Sequence, residues 1–158
     1  MSVRSSVFSA VLLVASGVAA AQAPIARYEL LYQGEEVLDK ESNLIWKRCA
    51  NGMQLTQHRC VGKPYGSSVP VPVRETPWRL PTQAELLSLV LQQNPGRDRS
   101  KTVVDEAAFP DTPGDRFQAM YEGGSVMLYV DFSTGRPGSS RPLSRYPVRF
   151  VRDGPSNR

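Results

Sequence analysis

The 158-residue sequence predicts an irregular α+β domain with a small antiparallel sheet, one clear helix and long ordered loops. Three observations support this fold class. A helix-start signal lies near the middle of the chain, residues 125–132 alternate as a strand does, and 13 prolines with 12 glycines interrupt the remainder. The sequence shows neither an internal repeat nor a heptad pattern, so we expect a single domain after residue 21.

Residues 1–21 have the pattern of a secretory signal peptide. Arg4 precedes an apolar run from Val7 to Val18, and small residues then allow cleavage after Ala21. The run is too short to span a membrane comfortably, and no later segment is apolar enough to do so. The sequence therefore predicts an exported protein, periplasmic or secreted, with no integral membrane span. A retained N-terminal anchor is the alternative.

Two strand-like segments follow the signal peptide. Residues 28–32 and 37–46 carry β-forming side chains, and turn-forming residues interrupt them at 33–34 and 41–43. We expect a hairpin here. Residues 61–77 contain four prolines, two serines and two glycines, so this stretch is expected to be extended and irregular rather than helical.

The chain has two cysteines, Cys49 and Cys60. An oxidising compartment favours a disulfide between them. A metal site would need more ligands than these cysteines and His58, the only histidine, which we expect on the surface. The spacing of the polar residues supports neither a Ser-His-acid nor a Cys-His arrangement, so we expect no catalytic residue, no metal and no cofactor.

The helix-start signal centres on Thr82 and Glu85. The Thr82 hydroxyl can accept a hydrogen bond from the Glu85 amide while the Glu85 carboxylate reaches back to the Thr82 amide, which is a capping box. Apolar residues then recur at helical spacing, at Leu86, Leu87, Leu89 and Val90. Because Pro95 disfavours helical geometry at Asn94, the sequence predicts a helix from residue 83 to about residue 93.

The last third of the chain predicts two further strands. In residues 125–132 one face carries Val126, Leu128, Val130 and Phe132, and the other carries Met127, Tyr129 and Asp131. Residues 134–138 include Pro137 and two glycines and are expected to turn the chain. Residues 147–152 are expected to form the final strand, with Val148 and Phe150 on one face and Arg149 on the other.

Basic side chains outnumber acidic ones by 19 to 15, for a net charge of +4, and 15 of the basic residues are arginine. Arginine presents forked donors that suit carboxylate, sulfate or phosphate. The candidate ligand contacts are Arg136, Arg141 and Arg145, in or beside the loop predicted between the last two strands. Export argues against nucleic acid as a partner. It leaves an anionic polysaccharide, an envelope component or a protein partner, and a merely solvated basic surface is the alternative.

Five segments, taken in order, form a recognisable set. They are residues 37–46, 78–86, 108–110, 130–135 and 147–152, and the central hallmark reads Trp78, Arg79, Leu80, Pro81, Thr82 and Glu85, with Trp46 upstream. The set resembles the Lcl C-terminal domain family, the C-terminal domain of bacterial collagen-like adhesins and a domain of unknown function. The resemblance covers residues 36–153, between an N-terminal segment (22–35) and a tail (154–158).

The resemblance implies a C-type-lectin-like fold in which the N- and C-terminal strands pair and long loops carry recognition. We expect Trp46 and Trp78 in the core, with stacking on sugar rings as the alternative. We expect Arg79 and Arg149 to make structural ion pairs or hydrogen bonds to loop carbonyls. The sulfatase-modifying oxidases share a motif similar to residues 79–86, but they need cysteines after it, and this chain has none there.

The sequence therefore favours an exported, non-enzymatic binding module that recognises an anionic glycan, an envelope component or a protein partner. The relatives suggest polyanionic polysaccharide as the ligand. The alternative is a periplasmic inhibitor, such as an immunity protein that blocks a toxin by direct protein binding.

Overall fold

A computed structural model describes residues 26–66, 77–91, 103–122, 126–141 and 144–156. The predicted signal peptide and most of the proline-rich stretch lie outside these residues. Within the described ranges, no helix is both long enough and apolar enough to cross a membrane.

The regular elements form small antiparallel sheets and one short helix, as the predicted α+β class requires. In chain order they are β1 (Tyr28–Leu31), a 3₁₀ turn (Tyr32–Gly34), β2 (Glu36–Asp39), β3 (Leu44–Lys47), β4 (Gln54–Thr56), β5 (Arg59–Val61), α1 (Gln83–Ser88), β6 (Arg116–Glu122), β7 (Val126–Asp131), β8 (Arg136–Ser140) and β9 (Val151–Asp153). The strands make a terminal sheet in the order β1-β2-β3-β9, a β4–β5 hairpin and a three-stranded sheet in the order β6-β7-β8.

The terminal sheet joins the two ends of the described chain. Strands β2 and β3 form the predicted hairpin, with Glu36 opposite Lys47. Strand β9 then pairs with β3, so that Leu44 lies opposite Asp153. Trp46 and its neighbour across the ladder, Val151, are both fully buried, and the sheet thus turns one face to the core.

The prediction for the final strand is wrong in its extent, because only Val151–Asp153 pairs as a strand. Val148 and Arg149 are both buried instead of lying on opposite faces. The Arg149 guanidinium donates to the backbone carbonyls of Lys47 and Arg48, and at 2.8 Å to the Thr112 hydroxyl. These carbonyl bonds are the contacts expected for Arg149. Burial lowers the pKa of the guanidinium, and its carbonyl and hydroxyl partners replace the water that this charge has lost.

The β4–β5 hairpin contains the predicted disulfide. Cys49 and Cys60 are bonded, with their Cα atoms 5.5 Å apart. The two turn residues, Gln57 and His58, both have positive φ, as a two-residue hairpin turn requires. His58 is exposed at the tip, where the sequence placed it.

Helix α1 begins as predicted and ends earlier. The capping box is present: the Glu85 amide donates to the Thr82 hydroxyl at 3.2 Å, and the Thr82 amide donates to the Glu85 carboxylate at 2.7 Å. The helix stops at Ser88 rather than near residue 93. The Leu91 amide donates to the Val103 carbonyl at 2.7 Å, and fully buried Leu89 fills the core. Tertiary contacts therefore end the helix before Pro95 does.

The three-stranded sheet differs from prediction in two ways. Strand β6 was not predicted at all, and residues 136–138, expected to turn, begin strand β8. The turn instead lies at residues 132–135, where the Gly135 amide closes it on the Asp131 carbonyl at 2.6 Å. Pro137 is tolerated because β8 is an edge strand.

The face assignment in β7 is only half right. Val130 and Phe132 pack in the core, and Leu128 packs against it. However, Val126 is 42% exposed, whereas Met127 on the opposite face is fully buried. Simple alternation misses this because parts of both faces of the sheet are covered.

Candidate functional site

The outer face of the three-stranded sheet gathers charged and aromatic side chains. Residues directly opposite each other in neighbouring strands share a face. Asp131 lies opposite both Arg116 in β6 and Arg136 in β8, so these three side chains form a row across the sheet. One step along the same face, Tyr129 lies opposite Gly138. With Tyr146, these residues make what we call the arginine–tyrosine face.

The absence of a side chain at Gly138 makes room for the Tyr129 ring. A Cβ atom at position 138 would come within 2.5 Å of the Tyr129 ring and hydroxyl, so the ring lies against the glycine backbone. Helix α1 supports the same spot, because the Gln83 side-chain amide donates to the carbonyls of Tyr129 and Gly138, each at 2.9 Å. The position of the ring is thus set by the sheet and the helix together.

Arg116 connects the two tyrosines. Its guanidinium lies 5.1 Å from the centroid of the Tyr129 ring and 5.9 Å from that of Tyr146, and it donates to the Tyr146 hydroxyl at 3.3 Å. The rings meet edge to face at 5.3 Å. The hydrogen bond from Arg116 lowers the pKa of Tyr146. Arg116 also lies 3.9 Å from the Asp131 carboxylate while 49% of its side chain stays exposed.

Two further arginines, Arg141 and Arg145, adjoin this cluster in the chain, and we include them with Arg136 in the arginine–tyrosine face. Arg136 opens β8, Arg141 directly follows β8, and Arg145 directly precedes Tyr146. All three are exposed, and none makes an ion pair within the described ranges. They are the candidate contacts predicted from sequence, with one correction: Arg136 lies in a strand rather than a loop. The fixed turn at residues 132–135 is the reason.

The arginine–tyrosine face combines two kinds of contact. It carries four arginines and one carboxylate, Asp131, so its positive charges outnumber its negative one. Arginine forks suit oxyanions, and tyrosine rings offer flat apolar faces edged by a hydroxyl. The arrangement can hold an anionic ligand that also has a surface to stack.

The sequence did not indicate Arg116, Tyr129 or Tyr146 as site residues. Arg116 lies in a strand that the pattern did not reveal, and Tyr129 was assigned only to a face of β7. Tyr146 precedes Pro147 in a stretch without regular structure. The one available signal was the Arg145-Tyr146 pair inside the basic C-terminal region.

The central hallmark segment borders the edge strand β9, where Arg79 bridges Val151, and Trp46 lies in the neighbouring strand β3. Trp46 is fully buried and Trp78 is half-buried. The Lys47 ammonium lies 4.4 Å from the Trp78 ring centroid and the Arg152 guanidinium 5.1 Å, and buried Glu36 accepts from both cations at 2.9 and 2.8 Å. In the rest of the hallmark, Leu80 is half-buried, Pro81 is buried, and Arg79 pairs with Glu85.

In the part of the chain that the structure describes, no group of three or more His, Cys, Asp or Glu side chains is placed to hold a metal ion. Both cysteines are consumed by the disulfide.

Residues 35–152 match the family model described as the Lcl C-terminal domain. The match covers most of the chain and includes both the hallmark and the arginine–tyrosine face. Neither a search of curated proteins nor a search of solved structures found a match.

Proposed function

Since the chain belongs to the Lcl C-terminal domain family, we propose that it is an exported, non-enzymatic module that binds an anionic glycan or another anionic component of the cell envelope. The proposal places the mature protein in the periplasm or outside the cell. It also assigns a C-type-lectin-like fold, which the joining of N- and C-terminal strands in one sheet supports.

The observation that carries this proposal is the arginine–tyrosine face. Arg136, Arg141 and Arg145 are exposed beside a preformed stack of Arg116 on two tyrosine rings. A sugar ring can pack on a tyrosine face while its carboxylate, sulfate or phosphate accepts hydrogen bonds from the guanidinium forks. The existing contacts of Arg116 mean that little side-chain freedom is lost there on binding.

The guanidinium groups on this face suit anion binding better than proton transfer. A guanidinium stays protonated at every physiological pH, so it cannot shuttle protons as a general acid or base does. Its positive charge is therefore available to bind an anion at any of these pH values. This property supports a binding role for the arginine–tyrosine face.

Retention on immobilised heparin and on lipopolysaccharide across a salt gradient tests the proposal. We expect the wild-type protein to elute at high salt, because exposed charges are screened over about 10 Å at 0.1 M. Reversing the charge at Arg136, Arg141 and Arg145 should abolish retention. The matched comparison is Arg141→Glu against Lys63→Glu, which reverses the charge at another exposed position outside the face.

Co-elution of the triple variant with the wild type would contradict the proposal. That result would leave the basic residues as a solvated surface and would favour the second candidate, a periplasmic inhibitor that blocks a toxin through a different contact surface. Export is tested separately by sequencing the N-terminus of protein taken from the periplasm, which should begin at Gln22.

A further inference from the structure

One edge of the β4–β5 hairpin presents unused backbone groups. Thr56 and Arg59 close the two-residue turn and form a hydrogen-bonded pair, so the next pair, Leu55 opposite Cys60, does not exchange ladder hydrogen bonds. The Cys60 amide indeed points away from β4 and donates to the Asp111 carboxylate at 2.9 Å. By the same geometry, the amide and carbonyl of Leu55 point away from β5.

The two edges of the hairpin differ in whether their outward-facing amides have a hydrogen-bond partner. On the β5 side, Asp111 caps the Cys60 amide and also pairs with Arg59. On the β4 side, the amide and carbonyl of Leu55 meet no partner among the described residues. Sheet edges of this kind pair readily with another extended segment. The outward-facing amide on the β5 side is thus capped, whereas the one on the β4 side is free to pair.

The open edge borders a groove of about 480 Å³. β4 contributes Gln54 and Leu55 to the lining, and within the described residues β5 contributes none. Met53 and Phe150 supply apolar surface, and Asn51 supplies an amide. A volume in this range is typical of ligand sites. Cys49 also lines the groove. Its disulfide to Cys60 links this part of the groove to strand β5.

The rim of the groove carries a free acid. Glu35 lines the groove and is exposed, and its carboxylate makes no ion pair or hydrogen bond within the described part of the chain. Lys47, the basic side chain in the lining, is already held by Glu36 at 2.9 Å and lies over Trp78. Glu36 is shared by Lys47 and Arg152, so the unpaired carboxylate that this rim offers to a ligand is that of Glu35 alone.

We propose that the groove binds an extended polypeptide segment of a partner protein, which adds to β4 as a third strand and places a basic side chain at Glu35. The Leu55 amide and carbonyl supply the main-chain hydrogen bonds. Met53 and Phe150 pack against the side chains that point inward. This strand-addition mode recognises a short linear segment and is independent of the anionic ligand proposed above.

A positional-scanning library of acetylated, amidated pentapeptides with arginine at the central position tests this inference on the disulfide-bonded protein. Hydrogen exchange at the Leu55 amide is followed by NMR. The best binders should slow this exchange at least about tenfold at saturation, because the amide becomes hydrogen-bonded in the complex. Methylating alternate backbone nitrogens of a binder should weaken it about tenfold or more, since a strand-pairing bond is lost.

Variants test the charge. Glu35→Gln should weaken the arginine peptide and leave its citrulline counterpart unchanged, whereas Glu106→Gln, another exposed acid, should change neither. Arg141→Glu should also leave peptide binding intact. The inference is overturned if no library member protects Leu55, if N-methylation leaves affinity unchanged, or if the peptides perturb only the arginine–tyrosine face.

Discussion

Arg79 and Glu85 form a two-bond ion pair across the start of α1, with nitrogen-to-oxygen distances of 2.8 and 2.7 Å. The same carboxylate accepts the Thr82 amide, and the Arg79 backbone pairs with Val151 in both directions, at 2.9 and 3.0 Å. The hallmark therefore ties the first turn of the helix to the C-terminal strand. Its residues thus form one hydrogen-bonded connection between the helix and the strand.

Thr82→Ala should lower the free energy of unfolding by about 1 kcal/mol, because the Glu85 amide loses its cap. Thr82→Ser keeps the hydroxyl and should cost much less. Urea unfolding measures both, and heparin retention should not change in either variant. A large loss of retention at full stability would instead put the hallmark in the recognition surface.

The Arg79–Glu85 pair predicts acid sensitivity. Hydrogen bonds from Arg79 hold the pKa of Glu85 below its ordinary value, against the opposing effect of burial. The unfolded state then binds more protons at acid pH, so the stabilisation is complete above the ordinary glutamate pKa of about 4.3 and is lost as pH falls through the folded-state pKa. Glu85→Gln should flatten this part of a pH series of urea unfolding curves. Equal slopes in both proteins would contradict the assignment.

Replacing Cys49 and Cys60 together with serine should destabilise the fold by about 2 to 3 kcal/mol, because the disulfide restricts the unfolded chain. Thiol labelling of unreduced protein should detect no free cysteine. Two reactive thiols in material isolated from the periplasm would refute the prediction for the native protein.

Gly138→Ala tests whether the Tyr129 ring belongs to the binding surface. The new methyl group would meet the far end of the Tyr129 side chain, so the ring should move at a cost of about 1 to 3 kcal/mol. Heparin retention should fall because Arg116 loses its stacking partner. Ser139→Ala, at the adjacent exposed position of β8, is the control. Unchanged retention with a displaced ring would remove Tyr129 from the site.

Features with a local cause were predictable from sequence. The capping box needs only Thr82 and Glu85, three positions apart, and the β2–β3 hairpin follows from a turn signal between two β-forming segments. The disulfide was predicted from the expectation of export and from a count of two cysteines. In each case the atoms that interact lie near each other in the chain, or the chemistry leaves one choice.

Features with a non-local cause were missed. Strand β6 exists because β7 pairs with it, and α1 ends early because Val103 takes the Leu91 amide. Burial of Arg149 depends on carbonyls about a hundred positions away. Arg116 reaches Tyr146 only once the sheet has formed, so the centre of the candidate site could not be read from spacing.

The pairing of β3 with β9 has a consequence for how the chain is made. It places Leu44 opposite Asp153, so β3 can pair with β9 only after nearly the whole described chain has been synthesised. Closing so long a loop is entropically costly and slows folding. On the proposed export route this delay is useful, because a secretion channel that threads extended polypeptide requires a precursor that has not yet folded. Until that late step, β3 keeps an unpaired edge that another extended segment could occupy.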